Sequence, residues 1–238
     1  MQIIAAYIIA SLVAFAPSSH TARASLTLAT HGEATVYVAG NFSRDFDVSY
    51  AFAIDTRRKN RSFTTIGVMM IGATDPGPSA EVGLANGYPS AKSTSGFVSG
   101  SHAHGTKSSD VWGLPCGATC TVELRGNSDH VSAFLDGRLA GTWSRPDLSI
   151  ESPYIQINAE VYKEGDAISA FIVTKKATAG GRALQAPICE FTTGGIEARS
   201  TSPTSMTFSG VYRSGARSTY AWLKSGAEGV KHCGLVTP

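Results

Sequence analysis

Residues 130–143 read His130-Val-Ser-Ala-Phe-Leu-Asp-Gly-Arg-Leu-Ala-Gly-Thr-Trp143, and this stretch decides the fold class. Val131, Ala133 and Leu135 alternate with Ser132, Phe134 and Asp136, the period of a half-buried strand. Asp136-Gly137 supplies two residues that tolerate positive φ, as a type I′ turn demands. Leu139 and Trp143 continue the apolar pattern, interrupted by Ala140-Gly141. The stretch predicts a tight β-hairpin and, with it, an antiparallel β-protein.

Strand patterns recur outward from it. Residues 34–39 alternate, and 47–55 place Val48, Tyr50, Phe52 and Ile54 on one face. Residues 63–73 are apolar on both faces, Ile66, Val68 and Met70 against Met69 and Ile71, as expected of a strand in the middle of a sandwich. Further strands are expected at 82–84, 121–125, 154–162, 167–175, 207–212 and 218–224. No dozen residues show the i, i+3, i+4, i+7 recurrence of an amphipathic helix. Many Gly, Ser and Thr residues with frequent turn signals complete the composition of a sandwich or barrel. Asp75-Pro-Gly-Pro-Ser is a turn. Residues 86–109, polar and rich in Ser and Gly, read as a long loop, of the kind that is usually functional or mobile. Residues 175–187 read as a linker or excursion before a C-terminal segment, 188–238, too short to stand alone.

The N-terminus carries an export pattern. Ile3 to Phe15 is almost unbroken apolar, followed by a polar stretch ending in Ala22-Arg23-Ala24, the layout of a secretory signal peptide occupying 1–24. The run is too short for a membrane-crossing helix, and no later segment is long and apolar enough to span a bilayer. Cleavage after Ala24 would leave 214 of the 238 residues, and with Arg23 gone the 20 Lys plus Arg become 19 against 18 Asp plus Glu. So balanced a charge gives no electrostatic case for nucleic acid or an anionic membrane as principal partner. A secreted, extracellular or periplasmic product is expected.

Four cysteines agree with export. Cys116 and Cys120 bracket a small Gly-containing loop, and Cys189 and Cys233 bracket the C-terminal region, so Cys116–Cys120 and Cys189–Cys233 are the expected pairs among three possible pairings. The second would tie residues 188–238 onto a sandwich spanning 25–187. A zinc site is the rival reading, without the usual ligand spacing. Asn41-Phe-Ser and Asn60-Arg-Ser satisfy the N-glycosylation sequon.

Thr121-Val-Glu-Leu-Arg125, the hairpin 130–143 and Tyr154-Ile-Gln-Ile-Asn-Ala-Glu-Val-Tyr162 together resemble the core of the concanavalin A-like lectin/glucanase jelly rolls, laminin G-like modules included. The resemblance covers residues 47–175. It implies a two-sheet antiparallel sandwich, a long concave-face strand and often a carbohydrate ligand; it does not imply an activity. The chain departs from the catalytic branches. It lacks the E-x-D-x-x-E string of glucanases, the metal loop of legume lectins and the Trp-Gly-Asp-type neighbourhood of glutamic peptidases.

On strand 154–162, Ile155, Ile157, Ala159 and Val161 take the core face, and Tyr154, Gln156, Asn158, Glu160 and Tyr162 the other. Two aromatic rings with amides and a carboxylate between them suit a sugar ligand, and these five are the candidate glycan-binding residues. The alternative is an ordinary solvent-facing strand. Carboxylate pairs for acid–base work can be drawn from Glu160 with Glu164 or Asp166, from Asp45 with Asp47, and from Glu123 with Asp136, but Glu164 and Asp166 read as solvated turn residues. His102 and His104 could hold a metal with Asp110, although a lone His-x-His in a Ser/Gly loop is more often plain loop. Ser205 and Ser209 lack the context of a nucleophile, and Trp112, Trp143, Tyr220 and Trp222 read as packing residues. No cofactor and no metal are expected. The leading expectation is a secreted carbohydrate-binding, lectin-like module recognising an extracellular glycan or other cell-surface ligand. The alternatives are a carbohydrate-active enzyme (hydrolase or lyase) of the same fold and a non-catalytic interaction protein.

Overall fold

A computed structural model describes residues 24–25, 31–38, 42, 44–57, 63–71, 79–87, 94–101, 110–145, 154–184, 189–202, 204–216 and 218–222. Its named elements are all strands, in two antiparallel sheets. The nine-stranded sheet runs β1 (Ala24–Ser25), β17 (Ser218–Trp222), β14 (Cys189–Thr193), β2 (Gly32–Val38), β11 (Tyr154–Val161), β4 (Thr64–Ile71), β5 (Ser79–Asn86), β6 (Thr94–Ser101), β7 (Val111–Leu114). The second runs β10 (Arg138–Ser144), β9 (His130–Leu135), β8 (Thr119–Gly126), β3 (Phe46–Arg57), β12 (Ala167–Ala179), β16 (Ser205–Val211), β15 (Ile196–Ser202), with β13 (Arg182–Ala183) on β12. Strands distant in sequence lie side by side, as β11 does between β2 and β4. This is a two-sheet antiparallel sandwich with jelly-roll crossovers.

The hairpin forms as its chemistry dictates. Asp136 and Gly137 take φ of 48° and 75°, both central positions of a type I′ turn, and Leu135 pairs Arg138 across it. Val131, Ala133 and Leu135 enter the core. Leu139 does not. It pairs Phe134 on the outer face, 63% exposed, and a bulge at Ala140 then returns Trp143 to the core opposite Val131. One extra residue shifts the side-chain parity, so the apolar pattern expected through Leu139 is broken there.

Between the sheets, Val48, Tyr50, Phe52 and Ile54 of β3 and Ile168, Ala170 and Ile172 of β12 join the inward residues of β8, β9 and β11 in one core. Each large aliphatic side chain so enclosed stabilises the fold by about 1.5–3 kcal/mol relative to exposure. Ile155, Ile157, Ala159 and Val161 all have no exposed surface, which fixes β11 as a central strand with one register.

Two expectations need correction. Residues 86–109 are not one loop, because β6 lies within them, paired to β5 and β7. Its core positions are Gly96, Val98 and Gly100, small because a methyl at 96 or 100 would run into Leu135 or Trp143. The apolar periodicity of a strand is thereby erased. Residues 175–179 belong to β12, which passes a bulge between Thr174 and Lys176 and continues to Ala179 before turning back into β13.

The C-terminal strands are part of both sheets, β14 beside β2 and β16 beside β12. Cys116 and Cys120 are disulfide-bonded, with Cα atoms 5.8 Å apart, and the bond takes both thiols from the zinc reading. Cys233 lies outside the described residues, as do Met1–Arg23, His102, His104 and both sequon asparagines. Among the described residues no helix is long and apolar enough to cross a membrane.

Candidate functional site

β11 carries the site on its outer face. Its core-facing residues pin the backbone, so the alternate residues stand on a rigid sheet. Gln156 and Asn158 are only 8% and 2% exposed, unlike residues of an ordinary solvent-facing strand. Glu160 is partly buried and Tyr162, just past the strand, is 38% exposed. The side chain of Tyr154 lies outside the described residues.

Register places partners beside each of them. Residues directly opposite in antiparallel strands share a face, with Cβ atoms about 4.5–5.5 Å apart. Glu160 faces Glu33 of β2 on one side and Thr65 of β4 on the other. Asn158 lies between Thr35 and Gly67, and Gln156 between Tyr37 and Met69. Gly67 continues to Gly83 and Met69 to Glu81 on β5. The paired glycines leave no side chain of their own; the space above Gly67 holds the Glu81 carboxylate, whose Oε1 would lie 2.7 Å from a methyl there.

Three glutamates therefore meet on this face. Like charges directly opposite are destabilising, so Glu33 against Glu160 is not what a merely structural sheet selects. The two carboxylates are dressed differently. Glu33 accepts a hydrogen bond from the Thr35 hydroxyl at 2.7 Å and pairs with His31 Nε2 at 3.5 Å. The hydrogen bond to Glu33 outweighs burial and raises the His31 pKa above its ordinary value, with help from the charges of Glu160 and Glu33. Glu160 accepts from the Tyr162 hydroxyl and from Asn158 Nδ2. Burial first, and the charge of Glu33 second, push its carboxyl up to about 7, against the opposing pull of His31 and the Asn158 hydrogen bond. Burial, with the fields of Glu160 and Asp110, holds Glu81 well above the usual carboxylate range. One glutamate is thus paired with the His31 imidazole and a hydroxyl, while the carboxyl of its neighbour is pushed up to about 7, two unlike environments on one face.

An aromatic row borders the cluster. His31 stacks on Tyr162 with centroids 5.4 Å apart, and Tyr162 stacks on Phe63 at 4.4 Å. Phe63 meets Trp112 edge-on at 6.3 Å, and Trp112 stacks on Phe97 at 4.6 Å. Trp112, expected to be a packing residue, is a half-buried ring on this outer face. The row spans β2, β11, β4, β6 and β7.

Other candidates are dispersed. Asp47 is paired to Lys176 and Arg125, and Asp45 is exposed beyond the strand. Glu123 pairs with Arg125, whereas Asp136 accepts from the Thr121 amide at 2.7 Å, so these two do not form a pair. Glu164 accepts from Ser214. Asp166 is fully buried rather than solvated, because Tyr212 N–H donates to its carbonyl and folds the turn under β16. Asp110 accepts from Ser99 at 2.7 Å. Ser205 bonds Thr201 and Ser202, and Ser209 is an exposed β16 residue on the other sheet. Trp143 is core, as expected. The functional residues that local reading missed are Glu33 and Glu81. The signal for Glu33 lay in the alternation of 34–39 itself, which puts Glu33, Thr35 and Tyr37 together on the face opposite Ala34, Val36 and Val38.

No family model and no curated protein matches the chain. Solved structures do. One is a glycoside hydrolase family 16 endo-glucanase from Bacteroides ovatus in complex with G4G3G-2F-DNP, 15% identical over 54% of this chain and 66% of that one, TM-score 0.35. A second is the alginate lyase AlyC3, 13% identical over 60% of this chain and 69% of that one, TM-score 0.42. A third is scytalido-glutamic peptidase with a transition-state analog inhibitor, 11% identical over 76% of this chain and 98% of that one, TM-score 0.43. This chain spans about two thirds of the length of the first two. The likeness is one of sandwich architecture.

Proposed function

We propose that the protein is a carbohydrate-active enzyme that hydrolyses glycosidic bonds on the outer face of its nine-stranded sheet, with Glu160 as general acid and Glu33 as its carboxylate partner. The carrying observation is the register-opposed Glu33–Glu160 pair, one member paired with His31 and a hydroxyl, the other with its carboxyl pushed up to about 7. In the reaction, Glu160 gives its proton to the glycosidic oxygen as the bond to the anomeric carbon breaks. Glu33 attacks that carbon, and water, deprotonated by Glu160, then releases the sugar and regenerates both groups. Register-opposed side chains are rooted about 4.5–5.5 Å apart, close enough for two carboxyls to act on one glycosidic bond, and the retaining course is assigned to the pair on that basis. Asn158 and Tyr162 position the Glu160 carboxyl, and the aromatic row supplies the apolar wall of a sugar site. The glycan binding expected of a lectin-like module is contained in this reading, and buried carboxyls with a raised pKa are what binding alone would not require. Export through the segment 1–24 is part of the same proposal.

The test is product analysis on the purified protein with a polysaccharide panel. New reducing ends without unsaturated termini, formed with retained anomeric configuration, support it. Unsaturated termini would make the protein a lyase, and binding without turnover would return it to the lectin-like reading.

A further inference from the structure

We infer that the polymer taken by this face is an uncharged polysaccharide laid across the strands along the aromatic row, and that polyanionic glycans are excluded; the inference rests on the proposed glycosidase reading. Three observations carry it. Glu33, Glu81 and Glu160 project from neighbouring strands, Asp110 adds its field at the β7 side, and no Lys or Arg occupies a described position on this face. The His31 imidazole, the cation at its edge, is already committed to Glu33. A uronate carboxylate or sulfate ester would be desolvated there with no Lys or Arg at a described position to pair it, and an unpaired buried charge is costly.

The second observation is the polar floor. Asn158 donates through Nδ2 to Glu160, while its Oδ1 is buried and accepts no hydrogen bond. An orphan acceptor among carboxylates calls for a donor. Sugar hydroxyls donate; carboxylate and sulfate oxygens only accept. The third is extent. The row from His31 through Tyr162 and Phe63 to Trp112 runs through ring contacts of 5.4, 4.4 and 6.3 Å, and so suits a short run of sugar rings rather than one residue. A polycation finds less than the count of acids suggests, because Glu81 and Glu160 are held toward the neutral form by burial.

The experiment is affinity electrophoresis of the purified protein in gels containing laminarin, mixed-linkage β-glucan or hydroxyethyl cellulose as neutral probes. Alginate, polygalacturonate and carrageenan serve as anionic probes and chitosan as the cationic one, each at low and high salt. Retardation by at least one neutral polymer, unchanged by salt, is expected, with every anionic polymer more than about tenfold weaker at low salt. Trp112→Ala should abolish neutral binding that Trp112→Phe retains. The inference is overturned by an anionic polymer bound as tightly as the best neutral one, by tightest binding to chitosan, or by no neutral binding at all. A neutral polymer bound but not cleaved leaves it standing while removing the catalytic reading; an anionic polymer cleaved in a Glu33-dependent way does the reverse.

Discussion

Glu160→Gln should stabilise the protein at alkaline pH. The fold raises this carboxyl from the ordinary 4.5 to about 7, so the native state binds the proton more tightly than the unfolded chain. The resulting stabilisation is complete below the unfolded value and is lost as pH rises through about 7. At 1.36 kcal/mol per pH unit, the interval amounts to about 3 kcal/mol. Gln is permanently neutral and escapes that loss, but it places an NH2 donor where one of the two carboxyl oxygens accepts from Tyr162 or Asn158, at a cost of about 1 kcal/mol. The variant is therefore about 1 kcal/mol less stable than wild type near pH ~4 and about 2 kcal/mol more stable above pH ~8. For a chain of this size that alkaline gain is roughly 4–8 °C in Tm. Thermal unfolding followed by circular dichroism across the pH range decides it. Parallel Tm curves for variant and wild type, or a variant weaker at alkaline than at acid pH, would refute the assignment of a buried, proton-holding Glu160.

Three further outcomes follow from the same packing. Ile157→Ala, at a position with no exposed surface, should lose roughly 2–5 kcal/mol in chemical denaturation, while Tyr162→Ala should leave the midpoint nearly unchanged and weaken glycan binding; equal destabilisation would show the face assignment wrong. Gly67→Ala should displace the Glu81 carboxylate, 2.7 Å from the new methyl, and lower kcat/KM by about tenfold or more with the fold intact, as checked by initial rates beside a circular dichroism spectrum; unchanged kinetics would remove Glu81 from the site. Opening the Cys116–Cys120 bridge with a Cys116→Ser/Cys120→Ser pair should cost about 2 kcal/mol, since the closed loop is short, and a null effect in urea unfolding would show the bridge idle.

The parts of this fold legible in the sequence are those set by local chemistry. Asp136-Gly137 admits one tight turn, and the strict alternation of Ile155 to Val161 admits one buried face. β6 was illegible because its core positions, Gly96 and Gly100, are defined by the bulk of Leu135 and Trp143 on other strands. The bulge that exposes Leu139 was hidden for the related reason that parity at Ala140 is set by pairing, not by composition. The candidate site divides the same way. Gln156, Asn158 and Glu160 share a face by simple period-2 counting. Their partners Glu33 and Glu81 lie about 120 and 80 residues away in sequence, joined to them only through the β2–β11–β4–β5 order. A carboxyl pair across strands is a property of topology, and no spacing rule along the chain contains it.

The division of labour between Glu160 and Glu33 is tested most directly by leaving-group dependence, measured as initial rates of wild type, Glu160→Gln and Glu33→Gln on the cleaved polymer and on an aryl glycoside of the same sugar with an activated phenolate. The general acid contributes about 10²–10⁴-fold where the leaving group needs a proton. Glu160→Gln should therefore lose that factor on the polymer and still release a first-turnover burst of phenolate, after which the missing base slows release of the sugar, whereas Glu33→Gln should be inactive on both. Absence of a first-turnover phenolate burst from Glu160→Gln, or a Glu33→Gln variant that retains wild-type rates, would contradict the account.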